Sequence, residues 1–179
     1  MSAHTHFLAE NATYTEDFGD KGGLLCFPPG QRSGIILTCM DERINTALLF
    51  PEATAWKWHF IRNAGGSADA LPSIFLSQSI RLGEIIVVHH TGCGAPPDRV
   101  GGVHRQLQGS FPGDEIVANM VDEDDPLDSS IALVRQTVLA DVKFLRESRH
   151  IKEGTIVTGC LYNVKTQKLE NVVPPGPRA

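Results

Sequence analysis

Two short apolar runs, each ending in residues of metal-binding type, constrain this chain most. The first is Ile35-Ile36-Leu37-Thr38, followed by Cys39-Met40-Asp41-Glu42-Arg43. The second is Ile85-Ile86-Val87-Val88, followed by His89-His90-Thr91-Gly92-Cys93-Gly94. Runs of this length, rich in β-branched residues and lacking polar alternation, read as strands buried on both faces. Between them, Trp58 to Arg62 reads as another strand, leading into the small-residue loop Asn63-Ala64-Gly65-Gly66-Ser67. Arg43 to Phe50 reads as a short helix stopped by Pro51. Asp69 to Leu82 reads as a longer one, with Asp69 as N-cap, Pro72 in the first turn and Gly83 as the stop. The order β, α, β, α, β with short links predicts a parallel sheet covered by helices.

The second half extends the pattern. Ile131, Val134, Val138, Val142 and Leu145 recur at helical spacing within a helix predicted over Leu127 to Arg149. Gly154 to Tyr162 is the fourth parallel strand, Lys165 to Gln167 a turn, and Lys168 to Val173 an antiparallel edge strand. Pro174-Pro175-Gly176-Pro177 lies in a C-terminal tail, 174–179, outside the sheet. The fold class is therefore α/β: a mainly parallel four-stranded sheet with an added antiparallel edge strand and helices on both faces. With 179 residues the chain suits one domain, 1–179, of which 1–33 form a polar N-terminal arm. A short helix is predicted within Phe7 to Phe18. Val100 to Leu107 is weakly helical, and the acidic run Asp122 to Asp125 before Pro126 reads as a solvated turn, lacking the spacing of an oxygen-ligand cation loop.

Composition excludes several classes. A net charge of −5 argues against a basic surface for nucleic acid or anionic membrane. No apolar run approaches the roughly 18 residues needed to span a bilayer. The first residues lack the basic and apolar regions of a secretory signal, so a reducing, cytoplasmic setting is expected. There, four cysteines suit metal binding or catalysis better than a disulfide framework. Cys26 and Cys160 read as structural, and His59, His104 and His150 as histidines without a nameable partner.

Cys39, His90 and Cys93 have the donor types that zinc favours, and they fall at the carboxyl ends of strands, where open parallel sheets collect ligands. His90 is preferred over His89 for its spacing to Cys93 and because strand alternation turns His89 to the other face. Three protein ligands leave a fourth position for water or for Asp41. An open position suits catalysis, because zinc lowers the pKa of its water from about 15.7 to about 7. Asp41 and Arg43, alternate residues of an extended segment, share one side. Arg43 would hold Asp41 ionised and off the metal, and Asp41 would accept a hydrogen bond from the nucleophile. The loop residues Ala64, Gly65 and Gly66 are weaker candidates for the substrate pocket, since small residues allow close backbone approach.

Over Ile35 to Val173 the chain resembles the β-class carbonic anhydrases. The likeness rests on Cys39-x-Asp41-x-Arg43, Arg62-Asn63-Ala64-Gly65-Gly66, His90-x-x-Cys93-Gly94 and Gly159-Cys160-Leu161-Tyr162-Asn163-Val164-Lys165-Thr166. The compact pattern is most similar to the small D-type branch, which includes carbonyl sulfide hydrolases. The resemblance implies zinc on Cys39, His90 and Cys93, an Asp41–Arg43 dyad, and a homodimer or homotetramer. The expected activity is addition of water to a small linear cumulene, leaning to carbonyl sulfide hydrolysis, with carbon dioxide hydration as the alternative. A non-catalytic zinc protein closed by Asp41, and a redox protein using Cys39 and Cys93, are the competing classes.

Overall fold

The computed structural model describes residues 3–16, 33–79, 83–94, 109–114 and 131–178. The chain divides into two compact units, Met1–Gln31 and Arg32–Ala179. Among its described residues the first holds the helix α1 (Ala3–Glu16), in which Phe7, Leu8 and Tyr14 are exposed and His6 faces Glu10 at 3.4 Å.

The second unit is built on β1 (Gly34–Cys39), α2 (Thr46–Leu49), α3 (Pro51–Ala55), β2 (His59–Asn63), α4 (Leu71–Gln78), β3 (Glu84–His90), α5 (Ile131–Glu147), β4 (Ile156–Asn163) and β5 (Lys168–Pro177). The sheet order is β2-β1-β3-β4-β5, with β1 to β4 parallel and β5 antiparallel to β4. From β1 the chain turns to β2 on one side and then returns to β3 on the other. The carboxyl ends of β1 and β3 therefore flank the switch point at which sheets of this kind bind ligands.

Both faces of the sheet are covered. On one, Ile35 and Leu37 of β1 and Ile85 and Val87 of β3 pack with Ile74 of α4 and with Val138, Val142 and Leu145 of α5. On the other, Ile36 and Val88 pack with Ile44, Trp58, Cys160 and Tyr162, and Leu49, Phe50 and Ala53 of the α2–α3 corner lie against them. Full burial of one such aliphatic side chain contributes about 1.5–3 kcal/mol, so the continuous apolar runs are the main anchor of the sheet.

Several boundaries differ from expectation. Pro51 ends α2 and also opens α3 at its first turn, where a missing N–H costs nothing. Asp69 does not cap α4. Its Oδ1 accepts from Asn63 Nδ2 at 2.8 Å, and Ala70 takes the cap position. The segment Pro174 to Pro177 is a correction: it belongs to β5 rather than to a tail outside the sheet. The register slips between Val157 and Gly159 and again between Gly159 and Cys160, giving β5 extra residues that absorb the prolines at a sheet edge. Arg146 of α5 donates to the Val157 and Pro174 carbonyls at the first slip, each at 2.6 Å. The expectations for Val100 to Leu107, Asp122 to Pro126, Cys26, His104 and the ends of the two longer predicted helices fall outside the described residues.

Candidate metal centre

Strand β1 ends in Cys39, which is 3% exposed, and strand β3 ends in His90, which is fully buried. Parallel pairing of Thr38 with Val88 sets these ends side by side, and the Thr38 hydroxyl donates to the Val88 carbonyl at 2.9 Å. The chain then turns at Thr91-Gly92 and brings back Cys93. Gly92 has φ +63°, a left-handed backbone that suits glycine. The ligand atoms of Cys39, His90 and Cys93 all lie within 4.8 Å of one another. The sequence placed these three together, and the structure does the same.

The donor set fits zinc. The Cys39 and Cys93 sulfurs are 3.8 Å apart. Two sulfurs each about 2.3 Å from a tetrahedral zinc sit about 3.8 Å apart. His90 Nδ1 faces the Thr91 carbonyl at 3.2 Å, so that nitrogen carries the proton and the lone pair is left on Nε2. Nε2 is buried and has no well-formed hydrogen bond, a costly state for a polar atom unless a ligand uses it. The Cys39 thiol is pulled well below the ordinary thiol range, foremost by the neighbouring Cys93 thiol, with His90 and the backbone at Asp41 and Gly65 assisting against burial. Thiolate is the form that binds metal. Cys160 is the opposite case: burial pushes its thiol up to about 11, as suits a structural cysteine.

Asp41 and Arg43 meet as the sequence required, but by a different route. The chain turns after Asp41 instead of remaining extended, and the Ile44 N–H reaches the Asp41 carbonyl at 3.1 Å. Asp41 Oδ1 accepts the Arg43 backbone N–H at 2.9 Å and Arg43 Nε–H at 2.8 Å, while Oδ2 accepts from Nη2 at 2.6 Å. This two-pronged pairing, above all the side-chain hydrogen bonds, lowers the Asp41 carboxyl to about 2. Asp41 Oδ2 also lies 3.8 Å from His90 Nε2. Arg43 Nη2 donates in addition to the Gly92 carbonyl at 2.8 Å, linking the first motif to the second. Sequence reasoning missed that link, because a backbone acceptor leaves no residue-type signal.

The loop 63–67 presses on the same strand end. Gly65 and Gly66 have φ of +76° and +77°, and a Cβ on Gly66 would sit 2.9 Å from the Cys39 nitrogen. Gly66 is buried against β1, Gly65 borders Cys39 through its backbone, and Ala64 is exposed. On the far side of β3, His89 Nδ1 is 2.7 Å from Thr137 Oγ1, and its Nε2 is 3.1 Å from Asp141 Oδ2 on α5. His89 thus points away from His90, as alternation predicted. His59 also has a partner, Ser77 Oγ at 2.9 Å.

Parallel strand ends that converge two thiols, an imidazole and a guanidinium-paired carboxylate make a site fit for a zinc enzyme. Comparisons with known proteins are specific on this point, although no family model matches the chain. A carbonic anhydrase from Glaciozyma antarctica superposes with a TM-score of 0.67 at 34% identity, over 92% of this chain and 95% of that one. Beta-carbonic anhydrase 1 of Mycobacterium tuberculosis is 29% identical over 180 residues, 97% of this chain and its own full length. A carbon disulfide hydrolase shares the fold, with a TM-score of 0.58 at 24% identity, over 93% of this chain and 90% of that one. The chain belongs to the β-carbonic anhydrase family, and zinc is its cofactor. Among the described residues, no helix is long and apolar enough to cross a membrane.

Proposed function

We propose that Cys39, His90 and Cys93 hold the zinc ion and that the site adds water to a small linear cumulene, carbon dioxide first. The convergence of the three ligand atoms with Asp41 Oδ2 beside the bare His90 Nε2 carries this reading. Zinc, when bound there, supplies a water acidified enough to act as nucleophile near neutral pH. Asp41, ionised across the working pH range by its pairing with Arg43, accepts a hydrogen bond from the reacting water at Oδ2 and aims its lone pair at the substrate carbon. Arg43 spends its donors on both Asp41 oxygens and the Gly92 carbonyl, which keeps the carboxylate from swinging toward the ligand atoms. Cys39 and Cys93 belong to the same apolar cluster as Ile44, Val88, Tyr162 and Val164, surroundings that suit an uncharged linear substrate.

Carbonyl sulfide is the second reading. It is favoured by the compact motif pattern and by the same apolar surroundings, since its electrophilic carbon meets the same nucleophile. The names of the relatives above 25% identity weigh toward carbon dioxide, reversing the sequence-based lean. A homo-oligomer in the cytoplasm completes the proposal. None of Cys39, Cys93 and Cys160 is in a disulfide, which suits a reducing compartment. The test is a side-by-side assay of zinc-quantified protein for proton release from carbon dioxide and hydrogen sulfide release from carbonyl sulfide. Faster carbon dioxide turnover supports the first reading, and faster sulfide release the second. Neither activity at one zinc per chain would refute both and leave a zinc site closed by Asp41.

A further inference from the structure

We infer that Arg62 is a positioning residue, one that sets where the Asp41 carboxylate stands relative to the metal-binding atoms. The inference rests on the zinc-site reading above. Arg62 lies on β2, opposite Thr38 in the β1–β2 register, and its side chain reaches past the end of β1. Nε–H donates to the Cys39 carbonyl at 3.1 Å, and Nη2–H donates to the Asp41 carbonyl at 2.7 Å. Between those acceptors, the Met40 N–H donates to the Asn63 carbonyl at 2.9 Å. Strand β2 therefore grips residues 39, 40 and 41 in succession, just where β1 ends and the chain begins to turn.

The residue type matters because the two carbonyls belong to alternate residues. A planar guanidinium presents donors in a fixed fork and spans both, whereas a lysine ammonium is a single point on a flexible stem and reaches one at a time. The acceptors also flank the chemistry. One is the backbone of a metal-binding cysteine, and the other is the backbone of the carboxylate that orients the nucleophile. Arg43 fixes the Asp41 side chain from its far end, and Arg62 fixes the backbone from which that side chain springs. With the fork removed, the Asp41 carbonyl keeps only the Ile44 N–H and the Cys39 carbonyl loses its side-chain donor, so the turn is held less firmly and Oδ2 shifts from its place 3.8 Å from His90 Nε2.

Arg62→Lys and Arg62→Gln in the full-length protein test this. The zinc forms are read by kcat and KM, and the cobalt-substituted forms by visible absorption, whose d–d bands report the ligand field. Both variants are expected to keep one metal per chain and a KM within about twofold of wild type. The kcat falls about 10- to 100-fold in Arg62→Gln and less in Arg62→Lys, with shifted cobalt bands in both. Wild-type kcat with unshifted bands would overturn the inference. So would a fall in kcat that follows loss of folded protein in a thermal melt while the bands stay unshifted, which would make Arg62 a stability residue only. If Arg62→Gln does not fold, Arg62→Lys carries the same readouts. Failure of the wild-type protein itself to take up cobalt would instead overturn the metal-site reading on which this one rests.

Discussion

His89 and His90 are neighbours on one strand and have opposite fates. His89 turns to the α5 face, where both ring nitrogens have partners, Thr137 and Asp141. His90 turns to the other face, where one nitrogen meets a backbone carbonyl and the other is left bare among two thiols and a carboxylate. Both are buried. Burial alone therefore does not distinguish a structural histidine from a ligand; the satisfaction of its second nitrogen does. The α5 side of the sheet is closed and holds the fold together. The opposite side, at the ends of β1 and β3, leaves His90 Nε2 without a hydrogen bond beside the two thiols.

Substitutions on the two sides should separate these roles. The largest effect is expected at the ligands: Cys39→Ala and His90→Ala lose zinc, from one per chain toward none by metal analysis, and activity goes with it. Full zinc content in either variant would erase the distinction. Asp41→Ala comes next. It keeps its zinc while kcat falls by about 10²-fold or more, the scale of a lost proton-handling group. Wild-type turnover would refute the role given to Asp41. On the closed side, His89→Ala keeps zinc but loses about 1–3 kcal/mol in urea denaturation, for the lost hydrogen bonds to Thr137 and Asp141, the Asp141 carboxylate keeping only the Ala68 N–H at 3.0 Å. Gly66→Ala is expected to cost about 1–3 kcal/mol by the same measurement, because its backbone is left-handed and its new Cβ meets the Cys39 nitrogen.

The smallest effect concerns the cysteines. After chelation of the metal, alkylation near pH 8 should label Cys39, whose thiol is pulled down, and the half-buried Cys93 before Cys160, whose thiol is pushed up to about 11. Mass spectrometry of the labelled peptides reads this directly. Labelling of Cys160 at the rate of Cys39 in the folded protein would contradict the contrast.

The strands and the convergence of Cys39, His90 and Cys93 were legible in the sequence because their signals are local. Continuous β-branched runs mark buried parallel strands. A cysteine or His-x-x-Cys directly after such a run fixes both the donor type and its place at the sheet edge. Spacing to Cys93 and strand alternation together separated His90 from His89. What escaped depends on contacts between distant segments with backbone groups. The Arg62 fork onto two carbonyls and the reach of Arg43 to Gly92 leave no pattern of residue types. Asp69 looked like a helix cap, yet its carboxylate is taken by Asn63 six residues earlier. The prolines of β5 looked like a terminus because proline lacks an N–H, but two register slips and Arg146 let an edge strand continue through them.

The central claim is that Cys39, His90 and Cys93 together hold zinc. X-ray absorption at the zinc edge on the purified protein tests it most directly. The account predicts two sulfur ligands at about 2.3 Å and an imidazole nitrogen at about 2.0–2.1 Å, with the remaining position filled by a light atom. A zinc environment of oxygen and nitrogen alone, or four sulfurs, would contradict it.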